Sequence, residues 1–278
     1  MSATRTHRTL EVAGATFEVE IEPDRRVVGA EEVLGWVRRS ARMVADYCGG
    51  EFPVDTLQVR IFKSRGLGYG KHYRGRRIEV GLGPNDTVED LERDWVMVHE
   101  MLHTAFPDLT DRHRWMQEGL STYLESILRV RHGVLDEDEV WQRWARSMPH
   151  GVPGPSHRGL DNTRTWGTVY WGGTLFWFIA DLRIRHLTEN QRSVQDVVKA
   201  ILLRGGNSRQ MWRTRRVIRV GDEATGTTVL RDLYQSMALR RADIDLEALF
   251  ERLGVRVDGR RVTFDEGAAL APVRRELF

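Results

Sequence analysis

The residues of this 278-residue chain whose types and spacing best suit chemistry are two histidines and a glutamate in one short stretch. It reads His99-Glu100-Met101-Leu102-His103. Residues four apart share one face of a helix, so His99 and His103 can direct both imidazoles at one metal ion. Glu100 directly follows the first histidine, which places it as a general base rather than as a ligand. The spacing predicts a zinc hydrolase, against the alternative of two unrelated surface histidines.

A catalytic zinc ion needs a third protein ligand and an open position for water. Glu118, in Trp115-Met116-Gln117-Glu118-Gly119-Leu120, is the best-placed oxygen donor downstream. The alternative is that Glu118 is a solvated carboxylate and that His113 or a more distant residue is the third ligand. Two neutral imidazoles and one carboxylate leave zinc acidic enough to lower the pKa of bound water towards about 7.

Together these two motifs resemble those of the gluzincin metallopeptidases, particularly the aminopeptidase-N-like and glycyl-aminopeptidase-like families. Those families share His-Glu-x-x-His followed by Trp-x-x-Glu-Gly. The later segment Tyr170-Trp171-Gly172-Gly173 is similar to the one that supplies their transition-state tyrosine. The resemblance implies that Tyr170 donates a hydrogen bond to the oxyanion. The alternative for Tyr170 is a buried aromatic side chain in an aromatic-rich helix.

The resemblance also implies that a strand just before the zinc helix borders the cleft and pairs with extended substrate. Residues 77–83 are the candidate for this edge, and an ordinary interior strand has equal weight because alternation cannot identify an edge. No Gly-x-Met-Glu-Asn-like segment precedes the zinc helix, so the glutamate that would bind a free amino terminus has no counterpart. Endopeptidase and aminopeptidase action therefore both stay open, and a gluzincin fold kept as a binding or regulatory module is the second hypothesis.

Local patterns outline the elements that carry these residues. Thr87 is a suitable cap for one zinc helix that starts near Val88 and reaches His103, and Pro107 ends it. An amphipathic pattern predicts a helix over residues 30–47, with Gly49-Gly50 as its stop. Residues 166–186 are apolar nearly all round, which predicts a buried helix whose Gly172-Gly173 pair lets another helix approach closely.

The fold class that we predict is α+β, with the zincin (thermolysin-like) catalytic fold. By resemblance, residues 1–130 form an upper lobe with a small mixed sheet and the zinc helices. Residues 131–278 form a mainly helical lower lobe that carries Tyr170 and completes the cleft. The chain ends in a small hairpin with an Asp258-Gly259 turn.

Composition limits the remaining possibilities. The chain is 41% hydrophobic and 29% charged, with a net charge of +2, which is typical of a globular protein. A single cysteine, Cys48, excludes an intramolecular disulfide and a cysteine-based zinc site. No signal peptide is visible, so we expect a cytoplasmic protein, although a trimmed leader would leave the same sequence.

The expected partner is a peptide or protein substrate, and the expected cofactor is Zn²⁺. The longest apolar run, residues 170–180, is shorter than the about 20 residues that a membrane span requires. An arginine cluster surrounds Trp212, and it is more typical of a solvated helix face than of a nucleic-acid site. Its members are Arg209, Arg213, Arg215, Arg216 and Arg219. The sequence indicates nothing about oligomeric state.

Overall fold

The computed structural model describes residues 5–24 and 26–278 and contains two compact units. The first unit comprises the chain up to Asp108 together with Leu202–Met211. The second comprises Leu109–Ile201 and Trp212–Phe278. Within the described residues, no helix is both long and apolar enough to cross a membrane.

A mixed five-stranded sheet is the centre of the first unit. Its strands are β1 (Thr6–Val12), β2 (Ala15–Ile21), β3 (Thr56–Lys63), β4 (Gly70–Tyr73) and β5 (Arg77–Leu82). They are ordered β1-β2-β3-β5-β4. Strands β2, β3 and β5 run parallel, and β1 and β4 are antiparallel to their neighbours. The structure confirms the predicted mixed character of the sheet.

The position of the sheet edge corrects one expectation. Residues 77–83, the candidate edge, contribute β5, which lies inside the sheet between β3 and β4. The strand at this end of the sheet is β4, where the sequence predicts no strand. Four residues are too few to show an alternating pattern, so β4 is recognisable only through its pairing with β5.

Apolar rows across the sheet form the core of the first unit. Phe17 pairs in register with Leu57, and Ile61 lies between Ile21 and Val80. Helix α1 (Ala30–Cys48) contacts both β1 and the zinc helix described below. It ends at Gly49, whose φ of 108° suits glycine, as the sequence predicts.

The predicted single zinc helix is two helices. Helix α2 (Val88–Glu92) is followed by a break and then by α3 (Val96–Leu102) and a 3₁₀ turn, His103–Ala105. The expectation of continuity was wrong because Asp94 begins a new helix. Its two carboxylate oxygens accept hydrogen bonds from the backbone amides of Val96 and Met97, at 3.0 and 2.8 Å.

The second unit is mainly helical. Its helices are α4 (Arg114–Arg131), α5 (Glu137–Ser147), α6 (Gly173–Leu187), α7 (Val194–Leu203), α8 (Thr214–Thr225), α9 (Val229–Leu233), α10 (Leu246–Leu253) and α11 (Ala271–Arg275). The last two residues of α7 belong to the first unit. The predicted hairpin is present as β6 (Val255–Asp258) and β7 (Arg261–Phe264). The π-helical turn Thr168–Gly172 directly precedes α6, and the π-helical turn Tyr234–Ala238 directly follows α9.

The division into units does not coincide with the predicted lobe boundary near residue 130. Helix α4 falls in the second unit because it packs against α6 and the π-helical turn Thr168–Gly172. The segment Leu202–Met211 falls in the first unit. Its Arg209 donates to the carbonyl oxygens of Gly75 and Thr56, and such long-range hydrogen bonds leave no local sequence pattern.

Two glycines set the distance between α4 and α6. A Cβ atom on Gly119 would lie 2.2 Å from the carbonyl carbon of Gly173, and one on Gly173 would lie 2.1 Å from the carbonyl oxygen of Trp115. Backbone therefore packs directly on backbone at this crossing. The close approach expected at Gly172-Gly173 is confirmed, and Gly119 of α4 is the partner that makes it possible.

Replacing Gly119 with alanine should destabilise the protein by about 1–3 kcal/mol, because the methyl group must force two backbones apart. Chemical denaturation, monitored by tryptophan fluorescence, measures this loss. Gly154→Ala is the matched control, since its Cβ would meet no atom within 4 Å. Equal stability of the two variants would mean that the helix crossing tolerates separation.

Candidate metal centre

Both histidines of the His-Glu-x-x-His segment are buried at the carboxyl-terminal end of α3. His99 is 3% exposed and His103, in the following 3₁₀ turn, is 7% exposed. Their ring centroids lie 5.0 Å apart with the planes at 85°. Burial contradicts the alternative of two unrelated surface histidines, and the four-residue spacing brings the rings together as predicted.

A further aromatic ring fixes the orientation of each imidazole. Trp95 lies edge-on to His99 with centroids 5.6 Å apart, and His72 of β4 stacks on His103 at 5.4 Å. The His72 ring is itself fixed in place, because its Nε2 accepts a hydrogen bond from the backbone amide of Gly75 at 2.7 Å. That bond assigns the ring proton of neutral His72 to Nδ1. The edge strand therefore supports a histidine that the sequence motif singles out.

Glu118 lies in the first half of α4 and is 7% exposed. Its Oε1 atom accepts a charge-assisted hydrogen bond from Arg114 Nε at 3.0 Å, and Arg114 Nη2 lies at ion-pair distance, also 3.0 Å. Arg114 is four residues earlier on the same helix, so the pair follows the ordinary spacing of helical ion pairs. Arg114 thereby orients the carboxylate of Glu118.

One ligand atom from each of His99, His103 and Glu118 lies within 4.8 Å of the other two. Tetrahedral zinc bonds of about 2.0–2.1 Å place ligand atoms about 3.4 Å apart, which falls within the 4.8 Å limit of this group. Two imidazole nitrogens and one carboxylate oxygen are the donor set of several catalytic zinc sites. The three residues could therefore hold a zinc ion. His113, the alternative ligand, instead hydrogen-bonds Asp161 through Nδ1 at 2.8 Å.

Glu100 lies over the edge strand. It is 7% exposed, and a Cβ atom on Gly70 of β4 would lie 2.7 Å from its Oε1 and 2.6 Å from its Cγ. Only glycine leaves the carboxylate this position. Because Glu100 adjoins His99 on the helix, it lies beside the metal group without belonging to it.

Tyr170 lies in the π-helical turn Thr168–Gly172, directly before α6. Its hydroxyl group hydrogen-bonds Arg114, the residue that holds Glu118. Burial lowers the pKa of Arg114, but the charge of Glu118 and the contact with Tyr170 outweigh that effect and raise the pKa overall. Arg114 thus links Tyr170 to Glu118. Turns of π-helix are rare and frequently mark functional sites, which agrees with this position.

A buried carboxylate holds the residues on both sides of Arg114. The Asp161 side chain is fully buried and accepts hydrogen bonds from His113 and from Trp115 Nε1, both at 2.8 Å, and from Tyr234 at 2.6 Å. These bonds fix the start of α4, from which Arg114 and Glu118 project. Burial alone raises the pKa of Asp161, but the three hydrogen bonds outweigh it, and the pKa lies below its ordinary value.

Sequence reasoning missed Arg114, Gly70 and Asp161. The four-residue interval from Arg114 to Glu118 is a signal that could have found the first of them. No local pattern marks Gly70 or Asp161, because each acts on residues distant in sequence. The arginine cluster around Trp212 is partly engaged within the chain, since Arg216 stacks on the Trp212 ring at 3.7 Å.

Comparison with known proteins finds no family model and no curated protein that matches this chain. Solved structures do match its fold. An aminopeptidase N family protein from Idiomarina loihiensis gives a TM-score of 0.67 at 14% identity, over 91% of this chain and 50% of that one. An M1 zinc metallopeptidase from Deinococcus radiodurans gives 0.55 at 17%, over 87% and 53%.

A mutant form of the Deinococcus radiodurans enzyme, bound to a Tyr-Ser-Ala substrate, gives a TM-score of 0.56 at 17% identity, over 85% of this chain and 52% of that one. The fold is therefore that of the M1 zinc metallopeptidases, and the predicted α+β class and the resemblance to aminopeptidase-N-like proteins are confirmed at this level. The chain spans about half the length of these proteins.

Replacing Asp161 with asparagine should lower the free energy of unfolding at neutral pH by about 2–4 kcal/mol, because an amide cannot accept from three donors as a carboxylate does. The lowered pKa means that this stability is present above the unfolded pKa of about 3.9 and is lost as pH falls through the folded value. The difference between parent and variant should therefore shrink in acid.

Denaturant titrations from pH 7 to pH 3 measure this difference, with chelator present so that metal release does not contribute. Asp138→Asn is the matched control, since Asp138 is exposed in the first turn of α5. A difference between parent and Asp161→Asn that stays constant down to pH 3 would contradict the role of the charge.

Proposed function

We propose that this chain is a zinc-dependent metallopeptidase, with His99, His103 and Glu118 as the metal ligands. The observation that carries the proposal is the approach of these three donors to within 4.8 Å of one another. The similarity in fold to M1 zinc metallopeptidases, one of them with a bound peptide substrate, supports peptides as the substrate class. Hydrolysis of a peptide bond is the reaction for which this donor set is suited.

A zinc ion held by these residues would act as a Lewis acid towards water and the substrate carbonyl group. Glu100 would accept a proton from the attacking water and pass it to the departing amine nitrogen. Both steps use the same carboxylate, so its position matters for each. Gly70 is the residue that leaves room for it beside His99.

Tyr170 would donate a hydrogen bond from its hydroxyl group to the carbonyl oxygen of the substrate as negative charge develops there. Its hydroxyl is held by Arg114, and Arg114 is held by Glu118. A donor that is already oriented needs no reorganisation during the reaction, which is the source of its catalytic effect. Arg114 is accordingly a positioning residue for Tyr170 and Glu118.

Strand β4 would pair with the backbone of an extended substrate. It lies at the end of the strand order and pairs with β5 on one side. Its four residues, Gly70, Lys71, His72 and Tyr73, include no carboxylate. The strand thus offers no acidic group for a free amino terminus, and the proposal covers peptide hydrolysis without a preference for amino-terminal residues.

Purified protein should contain about one zinc ion per chain, and His103→Ala should contain little. Glu100→Gln should keep the metal and lose about 10²–10⁴-fold in turnover, because the amide cannot accept the proton. Elemental mass spectrometry and cleavage of a diverse peptide library measure the two effects.

Zinc in the parent without peptide cleavage would favour the second hypothesis, a gluzincin fold kept as a binding module. Full activity in Glu100→Gln would refute the assigned base. Absence of zinc from the parent even after reconstitution would refute the metal site itself.

Gly70→Ala tests the placement of Glu100 independently. The added methyl group would displace the Glu100 carboxylate, so kcat should fall by about tenfold or more while zinc content stays unchanged. Gly66→Ala, four residues earlier, is the matched control, because its Cβ would meet only Asp86 Oδ1, at 3.4 Å. Unchanged kcat in Gly70→Ala would show that Glu100 does not need this space.

A further inference from the structure

The helical second unit contains a cavity of 510 Å³ remote in sequence from the metal residues. The second half of α6, the π-helical turn Tyr234–Ala238, the segment that follows it and α10 form its walls. The apolar lining residues include Ile179, Leu182, Leu233, Met237, Ala248 and Leu249. This volume lies in the range of about 300–1,000 Å³ that is typical of small-molecule sites.

Four arginines line the same cavity, namely Arg183, Arg240, Arg241 and Arg252. All four are exposed. Across the residues that the structure describes, no carboxylate forms an ion pair with any of their guanidinium groups. Arg114, by contrast, is paired with Glu118.

Two carboxylates, Asp243 and Asp245, also line the cavity. Asp245 is engaged locally, because its Oδ1 accepts the amide of Ala248 at 2.9 Å and so begins α10. The four arginines outnumber the two aspartates, so the cavity lining carries a net positive charge. An arginine rim on a polar surface is ordinarily just solvated. Here the arginines line the same cavity as apolar side chains, so one cavity presents both positive charge and hydrophobic surface to water.

We propose that this cavity binds a small amphipathic anion, of which an alkyl carboxylate is the simplest form. The apolar chain would lie against the leucines of α6 and α10, where burial removes hydrophobic surface from water. The carboxylate would accept charge-assisted hydrogen bonds from the arginines, whose planar groups match its geometry. A neutral or cationic amphiphile lacks that second contribution. The inference is independent of the proposed peptidase activity.

Isothermal titration calorimetry with octanoate, and with octyl glucoside as the uncharged comparison, tests the proposal on the full chain. Octanoate should bind saturably and octyl glucoside at least about tenfold more weakly. Replacing both Arg183 and Arg252 with glutamine should weaken octanoate binding at least about tenfold. Both side chains are exposed, so circular dichroism should show an unchanged fold.

Two further variants separate site binding from general attraction to a basic surface. Ala248→Phe keeps every charge but fills part of the cavity, and it should also abolish octanoate binding. Arg219→Gln removes an exposed arginine of α8 outside the cavity and should have no effect. No saturable binding to the parent, equal binding of octyl glucoside, or full binding by Ala248→Phe would each overturn the proposal.

Discussion

The backbone contact between α4 and α6 at Gly119 and Gly173 is the constraint on which the helical unit depends. Without Cβ atoms at these positions the two helices approach until backbone meets backbone. The same crossing is held by Trp177, whose Nε1 donates to the carbonyl oxygen of Met116 at 2.8 Å. Arg114 and Glu118 are neighbours on α4, and Tyr170 lies three residues before Gly173, so the close crossing brings the Tyr170 side chain to Arg114. A wider crossing would separate them.

Buried carboxylates specify how the helices of this unit are arranged. Asp161 accepts from three side chains, and Asp181 accepts from Tyr123 at 2.8 Å and from the amide of Val194 at 2.7 Å. Glu125 is paired with Arg129 and Arg143. Each carboxylate satisfies donors from distant parts of the chain, and an unsatisfied donor in any of these places would cost free energy. The apolar contacts favour compaction, whereas these hydrogen bonds select one arrangement.

The metal residues themselves are supported unevenly. The histidines are flanked by Trp95 and His72 and come from one short segment, so their mutual geometry is largely local. Glu118 depends on Arg114, and Glu100 depends on the absence of a side chain at Gly70. Substitutions around α3 should therefore displace the two histidines less than they displace Glu100. This difference follows from how many distant residues fix each side chain.

The sequence by itself determined whatever depends on neighbours along the chain. The end of α1 at Gly49 and the β6–β7 hairpin were correctly predicted, and the four-residue spacing places the rings of His99 and His103 side by side, because helix periodicity and turn conformation are local properties. The start of α3 at Asp94 is also local, since the hydrogen bonds that define it reach only to Val96 and Met97. Only the tertiary structure decided that β4 ends the sheet beside β5 and that Gly70 faces Glu100. These features arise from packing and hydrogen bonds between residues far apart in sequence, for which periodicity and propensity carry no signal.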